Sequence, residues 1–281
     1  MSFRRREDRL TPSASPDSCM APPKGEALLA VKGLSVSYPR TAGASGSFMA
    51  LNDIWFDVSR GETLGIVGES GCGKTTLVRA LSRLVLPSAG SITIGGIDVL
   101  RARGRALREF RRQLQIVFQD PRGSLDPRMR IRDVIAEPLR ILHPEMRGDE
   151  IAEAVIHRLR QVGLPASFAE RYPHECSGGQ CQRVGIARAI IVRPSLIICD
   201  EAVSALDMSI QAQIVNLLLD LQEQLDMAIL FISHNVMLVR HMSHRIGVIQ
   251  KGRLVELGPA DRVCDQPSHP YTQDLIRNST E

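Results

Sequence analysis

Short apolar runs alternate with amphipathic stretches along most of the chain. Two early runs, residues 28–38 (LLAVKGLSVSY) and 62–68 (ETLGIVG), predict strands, and the second is apolar on both faces, as in a buried strand. The later runs LQIVFQ, SLIICDE and AILFISH predict three more strands. Helices are predicted where apolar residues recur at helical spacing, in TTLVRALSRLV, at 105–113 and at 209–225. Strands and helices in this order favour a parallel sheet flanked by helices.

Other stretches depart from this alternation. Residues 1–26 are rich in Ser, Pro and Arg and are predicted to form a disordered tail, so one domain is expected over residues 27–281. Small and turn-forming residues predict a loop at 39–48. From about residue 120 to 180, the patterns DVIAEPLRIL and DEIAEAVIHRLRQVG predict a helical subdomain. The run RIGVIQKGRLVEL predicts a hairpin that turns at its central Lys-Gly pair.

The composition is that of an ordinary soluble globular protein, with 43% hydrophobic and 23% charged residues. The 35 Lys and Arg residues are nearly balanced by 31 Asp and Glu, which gives a net charge of +4. The densest basic stretch, Arg101 to Arg112, is interrupted by other residues, so a solvated helix face is the main interpretation and a contact to phosphate or a partner is the alternative. A nucleic-acid binder usually shows a more concentrated basic stripe, so no nucleic-acid partner is predicted.

The six cysteines and the lack of long apolar runs bear on the compartment. No two cysteines form a CxxC pair, so neither a zinc site nor a disulfide framework is predicted, and a reducing cytosol is expected. No apolar run approaches the roughly 18 to 20 residues that span a bilayer, and no apolar signal segment follows the charged start MSFRRREDRL. We therefore expect a chain that is neither exported nor integral, and that reaches a membrane only by docking on another subunit.

A glycine-rich motif lies between a predicted strand and a predicted helix. Its sequence, GESGCGKT, fits the phosphate-binding pattern GxxxxGK[ST], and this context makes a chance glycine-rich turn the weaker interpretation. Glycines let successive backbone N–H groups converge on phosphate oxygens, and the following helix adds its dipole. Lys74 would reach the β- and γ-phosphates, and the Thr75 hydroxyl would bind Mg²⁺. The residues predicted to contact the nucleotide here are Gly68, Glu69, Ser70, Gly71, Cys72, Gly73, Lys74, Thr75 and Thr76.

Two acids follow the apolar run LIIC. Asp200 ends this predicted strand, where open α/β sheets bind ligands, and it could hold Mg²⁺ directly or through water. Glu201 follows immediately and could orient the attacking water. A pair of solvated loop acids is the alternative, and the phosphate-binding motif in the same chain weakens it. The pair is therefore predicted to supply a metal ligand and a catalytic residue.

Further motifs resemble those of the ATP-binding-cassette (ABC) ATPases. The segment CSGGQ at residues 176–180 resembles the LSGGQ signature that separates this family from other P-loop proteins, and SALD at 204–207 resembles its D-loop. His234 resembles the switch histidine, Gln119 the Q-loop glutamine, and Tyr38 the aromatic residue that stacks on adenine. These motifs follow the family order, and the resemblance covers nearly the whole chain beyond the tail.

The resemblance implies an α/β fold, a P-loop NTPase of ABC type with a mostly parallel core sheet, an antiparallel β subdomain and an inserted helical subdomain. It implies ATP and Mg²⁺ as cofactors. It also implies that two such domains face each other head to tail, with each ATP between the P-loop of one and the signature of the other. The implied catalytic residues are Glu201, His234 and Gln119, the metal ligands are Thr75, Gln119 and Asp200, and further nucleotide contacts come from Tyr38, Ser177, Gly178, Gly179, Gln180 and Asp207.

The chain departs from the family pattern at several positions without losing a phosphate, metal or water contact. Cys176 replaces the usual leucine of the signature, and Ala202 replaces the proline that often follows the catalytic glutamate. Asn235 replaces a frequent aspartate after the histidine, which could weaken one loop contact. We therefore predict an active ATPase site rather than a catalytically silent regulatory subunit.

Three segments indicate a subgroup of the family. QDPRGSLDPR at the Q-loop, SIQAQ after the D-loop and HPYT near the C-terminus resemble the oligopeptide, dipeptide and nickel importers, although HPYT alone could be the start of a helix. The resemblance implies an importer ATPase, with peptides as the main interpretation and nickel or another small solute as the alternative. A soluble ABC ATPase of DNA repair or translation is disfavoured, because such proteins usually carry a long coiled-coil insertion or two cassettes.

The same resemblance implies the partners. They are two membrane permease subunits, a second ABC ATPase subunit and an extracytoplasmic solute-binding protein. The chain is accordingly expected as a peripheral subunit on the cytoplasmic face of the bacterial inner membrane. It would dock through a groove between its core and its helical subdomain.

Overall fold

The computed structural model describes residues 27–39 and 47–280. The tail predicted at 1–26 lies outside the described residues, as does most of the loop predicted at 39–48. The strands are β1 (Leu29–Pro39), β2 (Ser47–Val58), β3 (Thr63–Val67), β4 (Ala89–Ile94), β5 (Ile97–Asp98), β6 (Leu114–Val117), β7 (Leu196–Asp200), β8 (Ala228–Ile232), β9 (Arg245–Gln250) and β10 (Arg253–Pro259). The helices are α1 (Lys74–Leu81), α2 (Gly104–Gln113), α3 (Ile131–Leu142), α4 (Gly148–Gln161), α5 (Gly178–Ile190), α6 (Met208–Leu225), α7 (Val236–Met242), α8 (Ala260–Asp265) and α9 (Pro270–Thr280).

A six-stranded sheet forms the centre of the structure, in the order β10-β9-β3-β8-β7-β6. Its strands are parallel except β10, which pairs antiparallel with β9. Strands β3 and β8 are buried at every residue. In β8, Ile229 and Phe231 pack into one hydrophobic cluster while Leu230 and Ile232 pack into another, so both faces of the sheet are covered. The predicted mostly parallel core is therefore confirmed.

The predicted hairpin at the edge of this sheet is formed by β9 and β10. Its turn residues Lys251 and Gly252 have φ angles of 47° and 78°, the left-handed region that tight hairpins require. An added Cβ at Gly252 would lie 2.5 Å from the Ala50 carbonyl oxygen, and the Gly252 carbonyl accepts a hydrogen bond from Asn52 N at 2.8 Å. The hairpin turn thus joins the core sheet to β2.

A second sheet, with strand order β2-β1-β4-β5, is antiparallel throughout. Leu29 and Ile54 of this sheet lie in the same buried cluster as Leu64 of β3 and Leu77 of α1. The cluster fixes the second sheet over the glycine-rich turn that precedes α1. This arrangement confirms the expected antiparallel β subdomain near the N-terminus.

The inserted helical subdomain consists of α3, α4 and two short 3₁₀ turns at Ala166–Glu170 and Pro173–Glu175. Apolar residues of α3 and α4 pack against α5, which leads the chain back to the core sheet. The Ile131 N–H donates to the Arg171 carbonyl at 2.8 Å and closes the subdomain at its base. Within residues 27–39 and 47–280, no helix combines the length and hydropathy that a membrane span requires.

Several element boundaries differ from the prediction. Helix α1 ends at Leu81 because the Ser82 hydroxyl bonds back to the Val78 carbonyl and Arg83 has a φ of 58°. The strand predicted through Gln119 ends at Val117, after which the chain turns to the surface. Helices α7 and α8 were not predicted, because seven and six residues are too few for a periodic pattern.

Gly65 on β3 allows α7 to pack closely against the sheet. An added Cβ at Gly65 would lie 2.2 Å from Val239 Cγ1 and 2.5 Å from Ser243 Oγ. We therefore expect Gly65→Ala to lower the free energy of unfolding by about 1–3 kcal/mol, the usual cost of overpacking a core. Thermal or denaturant unfolding of the variant and the parent measures this difference.

Gly185 offers a matched control for this substitution. It lies within α5, and no atom lies within 4 Å of an added Cβ. Gly185→Ala is expected to stabilise the protein by roughly 0.5–1 kcal/mol, because alanine loses less backbone entropy in a helix. A Gly65→Ala protein as stable as the parent would refute the close packing of α7 on β3.

Candidate nucleotide site

The glycine-rich motif occupies the turn between β3 and α1, at the carboxyl end of a central strand. It opens onto a cavity of about 280 Å³. The lining residues are Tyr38, Phe48, Ala50, Ser70, Gly71, Gly73, Lys74, Thr75, Thr76 and Glu201. All of these except Phe48 and Ala50 are among the residues predicted from the sequence. Of the other predicted loop residues, Gly68 and Cys72 are buried and Glu69 is exposed.

The backbone of this turn needs glycine where it passes β2. Gly73 has a φ of 117°, and an added Cβ would lie 2.8 Å from the Ala50 carbonyl oxygen. Helix α1 begins at the next residue, and no side chain caps its N-terminus. Its first N–H groups therefore point into the cavity without a side-chain acceptor, an arrangement suited to an anion.

Lys74 is buried and folds back over the turn. Its Nζ donates to the carbonyl oxygens of Gly68 at 2.6 Å and Glu69 at 2.9 Å. The Cys72 sulfur lies 3.9 Å from the same ammonium. Burial raises the pKa of the Cys72 thiol, although Lys74 lowers it in part, so the thiol beside the ammonium stays neutral.

The two predicted acids lie at the carboxyl end of β7. Burial, and secondly the charge of Glu201, raise the pKa of Asp200, while Lys74 acts in the opposite direction. Glu201 has a φ of 48°, a conformation that is costly for a residue other than glycine. Its N–H donates to the Ile232 carbonyl of the neighbouring strand at 2.9 Å. This bond holds the strained residue at the rim of the cavity.

His234 and Gln119 both reach Glu201 from neighbouring strand ends. His234 Nδ1 lies 3.6 Å from Glu201 Oε1, and the imidazole is more than half exposed. Gln119 Nε2 donates to Ser204 Oγ at 3.3 Å, and that hydroxyl donates to the Glu201 carbonyl at 2.9 Å. The structure therefore brings the three predicted catalytic residues together, with Ser204 as the link between Gln119 and Glu201.

Tyr38 lies near the end of β1 and lines the cavity beside the turn. Its hydroxyl oxygen is buried without a hydrogen-bond partner among the described residues. A buried hydroxyl without a partner carries a desolvation cost, and such cases in proteins often mark a site that a ligand completes. The position is compatible with the predicted contact to a base.

The signature residues form the start of α5. Ser177 Oγ accepts from Gln180 N at 3.3 Å and Gln180 Oε1 accepts from Ser177 N at 2.9 Å, a reciprocal capping box. Cys176 and Cys181 precede and follow this box at the positions of a hydrophobic staple, and both are buried. A thiol thus replaces leucine in a packing role. Among the described residues that line the cavity, none belongs to the signature.

The D-loop and Asn235 act as helix caps in this structure. Asp207 accepts from Ile210 N at 3.0 Å and from Ser209 Oγ at 2.8 Å, and these bonds lower its pKa. Asp207 does not line the cavity. Asn235 Oδ1 accepts from Leu238 N at 3.0 Å and caps α7, a role that asparagine fills as well as aspartate.

The segment QDPRGSLDPR connects the Q-loop to the signature. Arg122 donates to the Cys176 carbonyl at 3.1 Å, and Arg188 of α5 donates to the Ser124 carbonyl at 2.6 Å. The Asp120 carboxylate accepts from the N–H groups of Arg122 and Gly123, which folds the segment into a turn. These contacts were not predicted, because the sequence alone does not place the two segments side by side.

One further contact was missed by the sequence. The Glu69 N–H of the glycine-rich turn donates to the hydroxyl oxygen of Tyr271 at 3.1 Å. Tyr271 belongs to the HPYT segment at the start of α9. The two residues are 202 positions apart, so no local pattern could have indicated the contact.

Comparisons with known proteins indicate the family of this chain. The family model described as ABC transporter matches residues 51–204. A probable peptide ABC transporter ATP-binding protein, y4tS of Sinorhizobium fredii, is 48% identical over 255 residues, which cover 89% of this chain and 72% of that protein. The oligopeptide transport ATP-binding protein OppF of Salmonella typhimurium is 49% identical over 227 residues, 81% of this chain and 68% of that protein.

Solved structures of similar fold are ABC cassettes. The dimeric cassette MJ0796 in a post-hydrolysis state with ADP and Pi has a TM-score of 0.73 at 27% identity, covering 83% of this chain and 98% of that one. The protein cbiO1 of Clostridium perfringens, part of a cbiONQ transporter complex, has a TM-score of 0.74 at 27% identity, covering 90% and 94%. With the P-loop cavity, the paired acids and the signature helix in place, the chain belongs to the ABC transporter family as one of its nucleotide-binding ATPase subunits.

Proposed function

We propose that this chain binds ATP with Mg²⁺ and hydrolyses it to drive a bacterial importer for peptides. The observation that carries the proposal is the position of Glu201, which lines the cavity with Lys74 and lies 3.6 Å from His234. A carboxylate and an imidazole at the rim of a phosphate-binding cavity can together hold a water molecule against a phosphoryl group.

Different residues of the cavity would bind the phosphates and the metal ion. The turn N–H groups that line the cavity and those of the first turn of α1 would bind the phosphates. Lys74 donates two of its three N–H bonds to the Gly68 and Glu69 carbonyls and would reach the phosphates with the third. Thr75, Asp200 and Gln119 offer a hydroxyl, a carboxylate and an amide carbonyl, the oxygen donors that suit Mg²⁺. The metal, when bound, neutralises charge on the phosphate oxygens.

Glu201 is the residue that we assign to the attacking water. Its carboxylate would accept a hydrogen bond from the water and orient it toward the γ-phosphorus, with His234 holding both the water and the γ-phosphate. Gln119 reaches Glu201 through Ser204, and the chain that follows it leads into α3 of the helical subdomain. We therefore assign to Gln119 the transmission of the nucleotide state to the proposed permease contact.

A second ATPase subunit would complete the site. The Ser177 side chain and the N-terminus of α5 lie outside the cavity of their own chain, where they can bind the γ-phosphate of ATP held by a partner. We assign Gly178, Gly179, Gln180 and Asp207 to the same interface and Tyr38 to the adenine. Loss of the γ-phosphate would then open the interface, a switch of the kind seen in other nucleotide-dependent assemblies.

The proposed permease contact lies in a cleft of about 840 Å³ between the core and the helical subdomain. Residues of α2, α3, α4 and the turn after α5 line it, and its walls carry both arginines and glutamates. One permease subunit docked here, with the second permease docked on the second ATPase, would hold the chain at the cytoplasmic face of the inner membrane. The solute-binding protein would act on the opposite side of that membrane. Peptides are the proposed cargo because the relatives named above include peptide transport proteins.

The test is ATP hydrolysis by the chain reconstituted in lipid with its permeases and second ATPase. We expect turnover to rise when peptide and the solute-binding protein are added, and to vanish in Lys74→Ala. Turnover that responds to nickel but not to peptide would favour nickel as cargo. Turnover that needs neither permease would indicate a soluble ABC ATPase and contradict the importer proposal.

A further inference from the structure

The C-terminal helix reaches the phosphate-binding turn. The hydroxyl oxygen of Tyr271, in the first turn of α9, accepts a hydrogen bond from the Glu69 N–H at 3.1 Å. The HPYT segment that contains Tyr271 has no part in the mechanism proposed above. The residue that it contacts, Glu69, nevertheless lies 5 positions before Lys74 in the chain.

Tyr271 and Lys74 bind the two ends of one peptide unit. The Gly68 carbonyl and the Glu69 N–H belong to the same planar amide and point in opposite directions. The carbonyl accepts from Lys74 Nζ at 2.6 Å while the N–H donates to Tyr271. Hydrogen bonds in series polarise each other, so the tyrosine strengthens the bond that holds the lysine and fixes the orientation of the peptide between them.

Tyr271 is itself held firmly in place. The Glu256 carboxylate of β10 accepts from Ser268 N at 2.9 Å, Ser268 Oγ at 2.7 Å and His269 N at 3.1 Å. His269 Nδ1 accepts from the Tyr271 N–H at 3.2 Å. The tyrosine ring packs against the buried core cluster. The hydroxyl therefore approaches the turn from a rigid support.

We propose that Tyr271 is a positioning residue for ATP binding, acting through the Gly68–Glu69 peptide on the turn that holds Lys74. This inference rests on the proposed ATP-binding function of the cavity. With the hydroxyl present, the turn is already ordered before the nucleotide arrives, so ATP binding does not have to order it. Once ATP is bound, the phosphates hold the turn, and the tyrosine has little influence on the hydrolytic step.

Tyr271→Phe removes only the hydroxyl and tests this directly. We expect the dissociation constant and the KM for ATP to rise about three- to tenfold, the size of one net hydrogen bond, with kcat little changed. Titration of the purified chain with ATP gives the dissociation constant, and its ATPase kinetics give KM and kcat. A purely structural role for Tyr271 would lower the melting temperature and leave the KM for ATP unaltered.

Tyr172→Phe is the matched control for the loss of a phenolic hydroxyl. The Tyr172 ring stacks on His174 at 5.5 Å and lies under Arg130 at 5.2 Å, contacts that phenylalanine preserves. Tyr172→Phe is expected to keep the parental KM.

A second variant tests the support of Tyr271. Glu256→Gln weakens that support, so it should also raise the KM for ATP. The double variant Tyr271→Phe/Glu256→Gln should raise KM no further than Tyr271→Phe alone.

The outcomes separate the inference from the proposed function. A parent protein that does not bind ATP would contradict the proposed function. ATP binding by the parent with an unchanged KM in Tyr271→Phe would overturn the role of Tyr271 alone. Additive effects of Tyr271→Phe and Glu256→Gln would also overturn it, because they would show that Glu256 acts on ATP binding by another route.

Discussion

Glu201→Gln is expected to lower the rate of ATP hydrolysis by at least about 100-fold while ATP still binds. Positioned acid–base groups contribute about 10²–10⁴-fold to rate, and an amide cannot take over the role of a carboxylate toward water. The substitution keeps the length of the side chain and the backbone φ of 48°. It leaves the bond from the Glu201 N–H to Ile232 intact, so the site should keep its shape.

A phosphate-release assay measures the rate of hydrolysis, and an ATP titration of the same preparation measures binding. Glu223→Gln provides the control, since Glu223 is an exposed glutamate of α6 and the charge change is identical. It should hydrolyse ATP as the parent does. Hydrolysis by Glu201→Gln at the parental rate would exclude Glu201 as the residue that orients water. His234 would then be the next candidate for that role.

Lys74→Ala is expected to weaken ATP binding about 10- to 100-fold, because hydrogen bonds to charged groups contribute more than those between neutral groups. The Lys74 ammonium is buried and bonded to two carbonyl oxygens of the turn, so in the unliganded protein it already lies beside the cavity. Removing it takes away the positive charge that would meet the β- and γ-phosphates. It also leaves two turn carbonyls without their donor.

Calorimetric titration with ATP gives the affinity, and thermal unfolding shows whether the variant remains folded. Lys32→Ala is the control, since Lys32 is an exposed lysine of β1. We expect this variant to bind ATP like the parent. If Lys74→Ala bound ATP with parental affinity, the glycine-rich turn could not be the phosphate site.

The sequence was sufficient for the features that depend on neighbouring residues. Short continuous apolar runs predicted the strands of the core sheet, since a strand buried on both faces is apolar along nearly its whole length, as β8 is and as β3 is after Thr63. The glycine-rich turn could be predicted with its helix, because phosphate binding requires glycine and a helix N-terminus at fixed spacing. The ordered set of family motifs then indicated the fold, including both subdomains.

Short helices and helix ends could not be predicted from the sequence, because they contain too few positions to show a pattern. Helices α7 and α8 are seven and six residues long, and a helical period cannot be recognised over so few positions. The end of α1 was predicted too late, since the residues after Leu81 are compatible with a helix and only the conformation of Arg83 ends it.

What the sequence could not determine are the contacts between segments that are distant along the chain. Gln119 reaches Glu201 through Ser204, 85 residues away, and Tyr271 reaches the phosphate-binding turn over 202 residues. Local pattern determines which residues can form a strand, a turn or a cap. The packing of the two sheets and of α9 determines which of those residues meet, because it depends on the shape and burial of the whole core. The sequence alone thus determined the class of the protein and its phosphate-binding turn, and the tertiary structure decided which distant side chains hold that turn in position.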